Sequence, residues 1–257
     1  MKWIKAVILT FSTYTRIPMP RVKWDEDAMK LSLAFLPLVG VVVGAVILGW
    51  QIVCRSLEIS AVLFAAVTVA LPIIITGGIH MDGFCDTSDA LASWQDKDRR
   101  LEILKDTNVG AFALIRYGVY LLVSFALFYE LFIRGYDVGV GFIFILSRCL
   151  AAWSAMTMPN ARKDGMLAAF TENADRRPAV IILTVLTIIG IACWVWFTFP
   201  YGFAGLILCV PVTFWYRSMA KKRFGGVTGD TTGFYLQIVE MALLAGLLVG
   251  GVAWEWL

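Results

Sequence analysis

Apolar stretches of similar length alternate with short polar ones along the whole chain. They fall at 33–53, 61–79, 114–132, 139–158, 180–199, 202–218 and 235–254, each near the 20 residues that carry a helix across a bilayer. Backbone polar groups inside a membrane must be satisfied within their own element, so the pattern predicts an all-α, polytopic transmembrane bundle of about seven helices. The stretch 202–218 has two readings. It contains Pro211, and only Pro200-Tyr201-Gly202 separates it from its predecessor, so it is either a full span or half of a re-entrant hairpin. The segment Lys2 to Phe11 is basic and apolar but too short to cross. It predicts an uncleaved interfacial helix with Lys2, Trp3 and Lys5 at headgroup level, stopped by Pro18-Met19-Pro20. With no internal repeat and no low-complexity segment, residues 1–257 are expected to form one integral membrane domain.

Composition agrees with this reading. Of the 257 residues 60% are apolar and mean hydropathy is +0.78, against about 45–50% apolar in ordinary globular proteins. The placement of Lys and Arg then sets the orientation. With the N-terminus inside, the segments 11–32, 80–113, 159–179 and 217–234 collect nearly all the loop cations, and the opposite face receives only Arg55 and Arg134. The positive-inside rule puts those four segments in the cytoplasm and the C-terminus outside. The glycine-bearing parts near 80–113, 159–179 and 217–234 therefore meet at one surface and can build one site. The net charge of +3 follows from topology. Without a basic arm or aromatic platform, the expected partner is the lipid bilayer and not nucleic acid. Five cysteines without C-x-x-C spacing give neither a disulfide framework nor a zinc site, and Cys85 reads as a packing residue.

The most unusual run is Gly77-Gly78-Ile79-His80-Met81-Asp82-Gly83-Phe84-Cys85-Asp86-Thr87-Ser88-Asp89, three carboxylates directly after an apolar span. On a helix, the i, i+4, i+7 spacing of Asp82, Asp86 and Asp89 confines them to a stripe roughly 60° wide. No Lys or Arg is interleaved before Lys97, so local ion pairing does not neutralise them. A hard cation such as Mg²⁺ would, because it binds through one or two carboxylates plus the phosphate oxygens of a substrate. The plainer reading is an acidic helix start favoured by the macrodipole.

Two further motifs share that surface. In Leu104-Lys105-Asp106-Thr107-Asn108-Val109-Gly110, Lys105 can clamp a phosphate while Asp106 ligates metal or orients Lys105; a juxtamembrane salt bridge is the alternative. In Gly225-Gly226-Val227-Thr228-Gly229-Asp230, the glycines let the backbone approach an anion and present N–H groups, Thr228 adds a hydroxyl and Asp230 a carboxylate. Lys221, Lys222 and Arg223 beside it favour phosphate. Arg148 lies deep in its span, where an arginine costs at least about 2.5–3.5 kcal/mol. It needs a partner, either Glu240 of the last helix or a substrate phosphate.

The runs at 77–91 and 104–112 resemble the signature of cobalamin synthase, the adenosylcobinamide-GDP ribazoletransferase family of vitamin B12 nucleotide-loop assembly. The similarity extends to Thr15-Arg16-Ile17-Pro18-Met19-Pro20, Leu146-Ser147-Arg148 and the 225–230 loop, with a looser match at Met158 to Gly165 that includes Asp164. The resemblance implies a Mg²⁺-dependent phosphotransferase of the prokaryotic cytoplasmic (inner) membrane. A hydroxyl of α-ribazole or its 5′-phosphate would attack adenosylcobinamide-GDP, giving adenosylcobalamin or its 5′-phosphate and GMP. It implies metal on Asp82, Asp86 and Asp89. Lys105, Asp106 and Arg148 would join the catalytic groups, and Gly225, Gly226, Thr228, Asp230 and Asp164 would bind substrate. His80, the chain's one histidine, is either the proton acceptor or a structural residue. Homo-oligomers and association with other corrinoid-assembly enzymes are compatible with it. The competing readings are another intramembrane alcohol phosphotransferase, a prenyltransferase, or a cation-coupled transporter.

Overall fold

The computed structural model describes residues 2–22, 26–106, 108–171 and 176–256. Residues 23–25 and 172–175, in two of the segments expected to face the cytoplasm, and Thr107 of the Lys105 motif lie outside the described residues. Helix α1 (Lys2–Tyr14) buries Ala6, Leu9 and Thr10 on one side and leaves Lys2, Trp3 and Ile4 exposed. That is the one-sided pattern of an interfacial helix. The Thr10 hydroxyl fixes it by bonding the carbonyl of Ser32 at 2.7 Å. Ser32 ends α2 (Glu26–Ser32), which runs through a 3-10 turn at Leu33–Phe35 into α3 (Leu36–Ser56).

Ser60 accepts the Leu63 N–H and starts α4 (Ala61–Thr76). After Gly77 and Gly78 the chain turns by 95° into α5 (Ile79–Ala92). A short α6 (Lys97–Ile103), capped by Asp96, leads to α7 (Ala111–Arg134), then α8 (Val140–Thr157), α9 (Met166–Thr171), α10 (Arg176–Thr198), α11 (Phe203–Phe224) and α12 (Gly229–Glu255). Six of these units are long and apolar enough to cross a membrane, and α4 with α5 makes a seventh if the bent pair counts as one span. The 202–218 region is settled as a single continuous helix. Pro211 sits inside α11 without breaking it, and the Trp194 indole N–H bonds the Gly202 carbonyl at 2.8 Å, pinning the preceding turn. The basic end of α11 is also longer than the apolar pattern implied: helix continues to Phe224 and resumes at Gly229, so the expected 217–234 segment is almost entirely helical.

Small residues set how closely the spans approach. A Cβ on Gly40 would lie 2.2 Å from the Phe144 carbonyl oxygen, and one on Gly44 would lie 2.2 Å from that of Gly141. Thus α3 and α8 touch backbone to backbone through a Gly-x-x-x-Gly face, the contact lipid-embedded helices use because apolar burial gives no drive between them.

The buried charge in α8 is resolved as a pair. Arg148 is 1% exposed and its Nη1 lies 2.9 Å from Glu240 Oε1 in α12, with the Ser147 hydroxyl also donating to Glu240. Arg148 is nine residues before the end of α8 and Glu240 eleven after the start of α12, so both sit about 14–17 Å inside the bundle. At the other end of the bundle Arg55 pairs with the buried Asp137 at 2.8 Å, and Arg134 with Glu130 and Glu255.

Two outcomes follow. Gly44→Leu should lower thermal stability in detergent by at least about 1–3 kcal/mol, whereas Gly49→Ala, with nothing within 4 Å, should be neutral or stabilise by up to about 1 kcal/mol. Arg148→Leu or Glu240→Leu alone should cost about 3–5 kcal/mol, and the double variant should recover most of that. A double variant as unstable as the two losses added would show that the pair is not what keeps these charges in place.

Candidate functional site

The site begins at the elbow between α4 and α5. Gly77 and Gly78 have φ of 64° and 80°, two successive left-handed residues that only glycine adopts cheaply. Their N–H groups bond the carbonyls of Ile74 and Ile73 and close α4. The turn sends α5 across the first turns of α12, where a Cβ on Gly83 would come within 2.8 Å of the Asp230 carbonyl oxygen and one on Gly233 within 3.1 Å of that of His80. Phe84 stacks on Phe234 beside this crossing. Helix α5 therefore lies at the polar ends of α7 and α12, outside the spans, and its carboxylates meet the start of α12.

Asp82 is exposed and Asp86 half-buried. Among the described residues neither carboxylate has an ion-pair or hydrogen-bond partner. Burial, then the charges of Asp82, Asp230 and Asp89, push the Asp86 carboxyl up to about 7. Burial, then the charges of Asp86, Asp82 and Asp89, raise the Cys85 thiol to about 11, which keeps it protonated and consistent with packing.

Asp89 is placed differently from its two neighbours. Its Oδ2 accepts the Gly110 N–H at 2.6 Å and its Oδ1 the Ala113 N–H at 2.8 Å. It caps α7 from another helix, where a negative charge is favoured. Asp89 is thereby committed to the start of α7, apart from Asp82 and Asp86, and among the described residues no three His, Cys, Asp or Glu side chains converge to hold a metal. Gly110 is required by the same contact, since a Cβ there would lie 2.6 Å from Asp89.

The glycine-rich loop is corrected. Gly225 N–H bonds Lys221 O, and Gly226 N–H bonds Ala220 O, which closes α11 with Gly225 in the left-handed conformation. Those N–H groups are occupied and do not face an anion. Gly226 is further fixed by the Pro159 carbonyl oxygen, 2.3 Å from where its Cβ would be, beside the bridge that joins Asn160 to Val227. Thr228 caps α12 in a reciprocal box with Thr231. Asp230 pairs with Arg162 at 3.1 Å. Arg162 is thus a site residue that sequence reasoning counted only as a topological charge; nothing in its spacing marks it.

Lys105 and Asp164 pair with each other at 3.1 Å, both exposed. The Lys105 hydrogen bond and charge hold the Asp164 carboxyl below its ordinary range. Asp106 accepts the backbone and side-chain N–H groups of Asn108. Arg148 pairs with Glu240, the first of the two partners its depth called for. His80 is 6% exposed, stacks on Tyr14, and its Nε2 is buried without a partner. Burial and then Arg148 hold it well below the usual imidazole range, so it is neutral.

Two cavities meet at Asp82. One, about 310 Å³, is lined by Tyr14, His80, Asp82, Arg162, the start of α9 and Thr228 to Asp230. The other, about 710 Å³ and more open, is lined by Arg16, Gly77, Gly78, Asp82, Cys85 and Tyr117. The polar segments thus converge on a bay with one unpaired acidic edge and two compartments.

Comparison with known proteins gives this bay a context. Residues 6–248 match the family model described as cobalamin-5-phosphate synthase. An adenosylcobinamide-GDP ribazoletransferase of Lachnoclostridium phytofermentans is 37% identical over 252 residues, covering 97% of this chain and 94% of that protein. Proteins of the same name from Clostridium perfringens and Pseudomonas savastanoi are 32% and 31% identical, covering 96% and 90% of this chain and 98% and 92% of theirs. No solved structure matches the chain. With the match running through nearly every span and through the elbow, the acidic helix and the α12 start alike, the chain belongs to the cobalamin-5-phosphate synthase family.

Proposed function

We propose that this chain is an adenosylcobinamide-GDP ribazoletransferase. A ribose hydroxyl of α-ribazole or its 5′-phosphate attacks the cobinamide-side phosphorus of adenosylcobinamide-GDP. The new O–P bond forms, the bond to the GMP oxygen breaks, and adenosylcobalamin or its 5′-phosphate leaves with GMP. The observation that carries this reading is Asp82, unpaired and exposed in the wall shared by two cavities. An attacking group and a diphosphate held on either side would meet there.

The smaller cavity suits the nucleoside. Its volume is at the lower end of the about 300–1,000 Å³ of small-molecule sites, Leu167, Ala168 and Val227 offer apolar surface to a flat base, and His80 is part of its wall. A neutral imidazole there accepts the hydroxyl proton as the oxygen attacks. Arg162 and the start of α12 orient an anionic or hydroxylated ligand. The larger, open cavity suits the corrinoid diphosphate, with Arg16 beside it.

The donor chemistry of Asp82 and Asp86 fits Mg²⁺, which takes one or two carboxylates and completes its shell with phosphate oxygens and water; when bound it would supply positive charge at the diphosphate. The carboxylates lie at one end of the bundle and not midway between repeats, which supports group transfer over cation-coupled transport. The asymmetry of Lys and Arg supports the prokaryotic cytoplasmic membrane with this bay facing the cytoplasm.

Asp82→Asn should fold and insert normally while GMP release from adenosylcobinamide-GDP and α-ribazole falls about 10²–10³-fold, with an altered Mg²⁺ requirement. Near-native turnover with unchanged Mg²⁺ dependence would remove Asp82 from the site. Arg162→Gln should raise KM for α-ribazole about tenfold or more, with a smaller effect on KM for adenosylcobinamide-GDP. Steady-state kinetics with each substrate varied would show it, and the reverse pattern would exchange the two cavities.

A further inference from the structure

The basic cluster at the end of α11 does not face the bay. Lys222 and Arg223 instead line a separate cavity of about 320 Å³ together with Leu91, Trp94, Arg100 and Trp215. Leu91 is nine residues along α5 from Asp82, about 14 Å away, and the two bay cavities share no lining residue with this one. Arg100 is only 5% exposed, and its Nε is buried without a partner. Among the described residues Arg100, Lys222 and Arg223 form no ion pair with a carboxylate. Asp96 is the acid whose charge reaches Arg100, and it is committed to the Arg99 N–H at the start of α6. Burial and the neighbouring Arg223 both work against the charge of Arg100. Gly225 and Gly226 close α11 on the carbonyls of Lys221 and Ala220, and Arg100 Nη1 donates to the Arg223 carbonyl at 3.5 Å; that bond occupies one guanidinium nitrogen and supplies no negative charge to the three cations.

The surroundings identify the missing anion. Trp94 and Trp215 are 88% and 48% exposed, and tryptophan concentrates where a membrane meets water. Ile207, Val210 and Phe214 of α11 are exposed, and at ~100° per residue they form one stripe with Ser218 that runs into the cavity. A cationic pocket therefore sits at the end of an apolar track as an acyl chain would need.

We propose that this cavity is a binding site for an anionic phospholipid, its headgroup phosphate held by Arg100, Lys222 and Arg223 and an acyl chain laid along Ile207, Val210 and Phe214. The site is independent of the transfer reaction. Its test is the thermal unfolding of the purified full chain in neutral detergent. Titrated phosphatidylglycerol should raise the melting temperature saturably, while phosphatidylcholine of the same acyl chains and inorganic phosphate should not. Lys222→Gln with Arg223→Gln, both exposed and tolerant of change, should weaken the half-saturating phosphatidylglycerol concentration about fivefold per cation removed. Arg100→Gln should weaken it about tenfold or more, and Lys97→Gln, an exposed cation outside the cavity, should leave it unchanged. Equal phosphatidylglycerol binding by the wild type and the Lys222/Arg223 double variant would overturn the site. A saturable response to inorganic phosphate equal to that of the lipid would overturn the lipid assignment.

Discussion

The contact on which the rest of the site depends is the backbone crossing of α5 over the start of α12. It exists because four positions lack a Cβ: Gly77 and Gly78 let the chain turn by 95°, and Gly83 and Gly233 let the two helices touch. Carboxylates on a straight continuation of α4 would lie against lipid or protein interior, at a cost of a few kcal/mol each. The turn places them at the ends of the spans, where water and a charged ligand can reach them. The crossing also fixes which carboxylates act together. Asp82 and Asp86 face Asp230 closely enough to repel, while Asp89, one turn on, reaches the start of α7.

Charge satisfaction divides the acidic and basic residues into two populations. Asp89, Asp137, Asp230 and Glu240 have partners of the opposite sign or backbone N–H groups. These fix helix ends and hold the bundle together. Asp82 and Asp86 have none among the described residues, and neither does the Nε2 of His80. Other buried polar atoms without a partner are scattered through the bundle, but Asp82 is the carboxylate that both bay cavities share, so a ligand in either can complete its chemistry.

Much of the architecture was legible in the sequence because membrane spans write a strong signal: a fixed length, few charges, and cationic loops on one side. The acidic helix was legible because three carboxylates directly after an apolar run are unusual, whereas the elbow was not: the apolar stretch at 61–79 runs straight through Gly77 and Gly78, where the chain bends by 95°. Distinguishing Asp89 from Asp82 and Asp86 was not, because its partner N–H groups are 21 and 24 residues away and belong to the backbone, which leaves no trace in residue type. The 225–230 loop misled for the opposite reason. Glycines that close a helix and glycines that cradle a phosphate look alike in one dimension. Only the Ala220 and Lys221 carbonyls show which is present. Arg162 and Asp230 are 68 residues apart, and nothing local announces the pair.

The Arg148–Glu240 pair also imposes an order on biosynthesis. The two residues are 92 positions apart, and at about 5–20 residues per second Glu240 leaves the ribosome roughly 5–18 s after Arg148. During that interval the nascent chain carries a guanidinium in a hydrophobic segment with no counter-charge. Helix α12 is therefore the keystone of assembly: the arginine-bearing helix reaches its final depth at low cost only once the last span has been made, and a ribosome stalled before residue 240 leaves a chain whose fourth long apolar segment has every reason to remain near the surface.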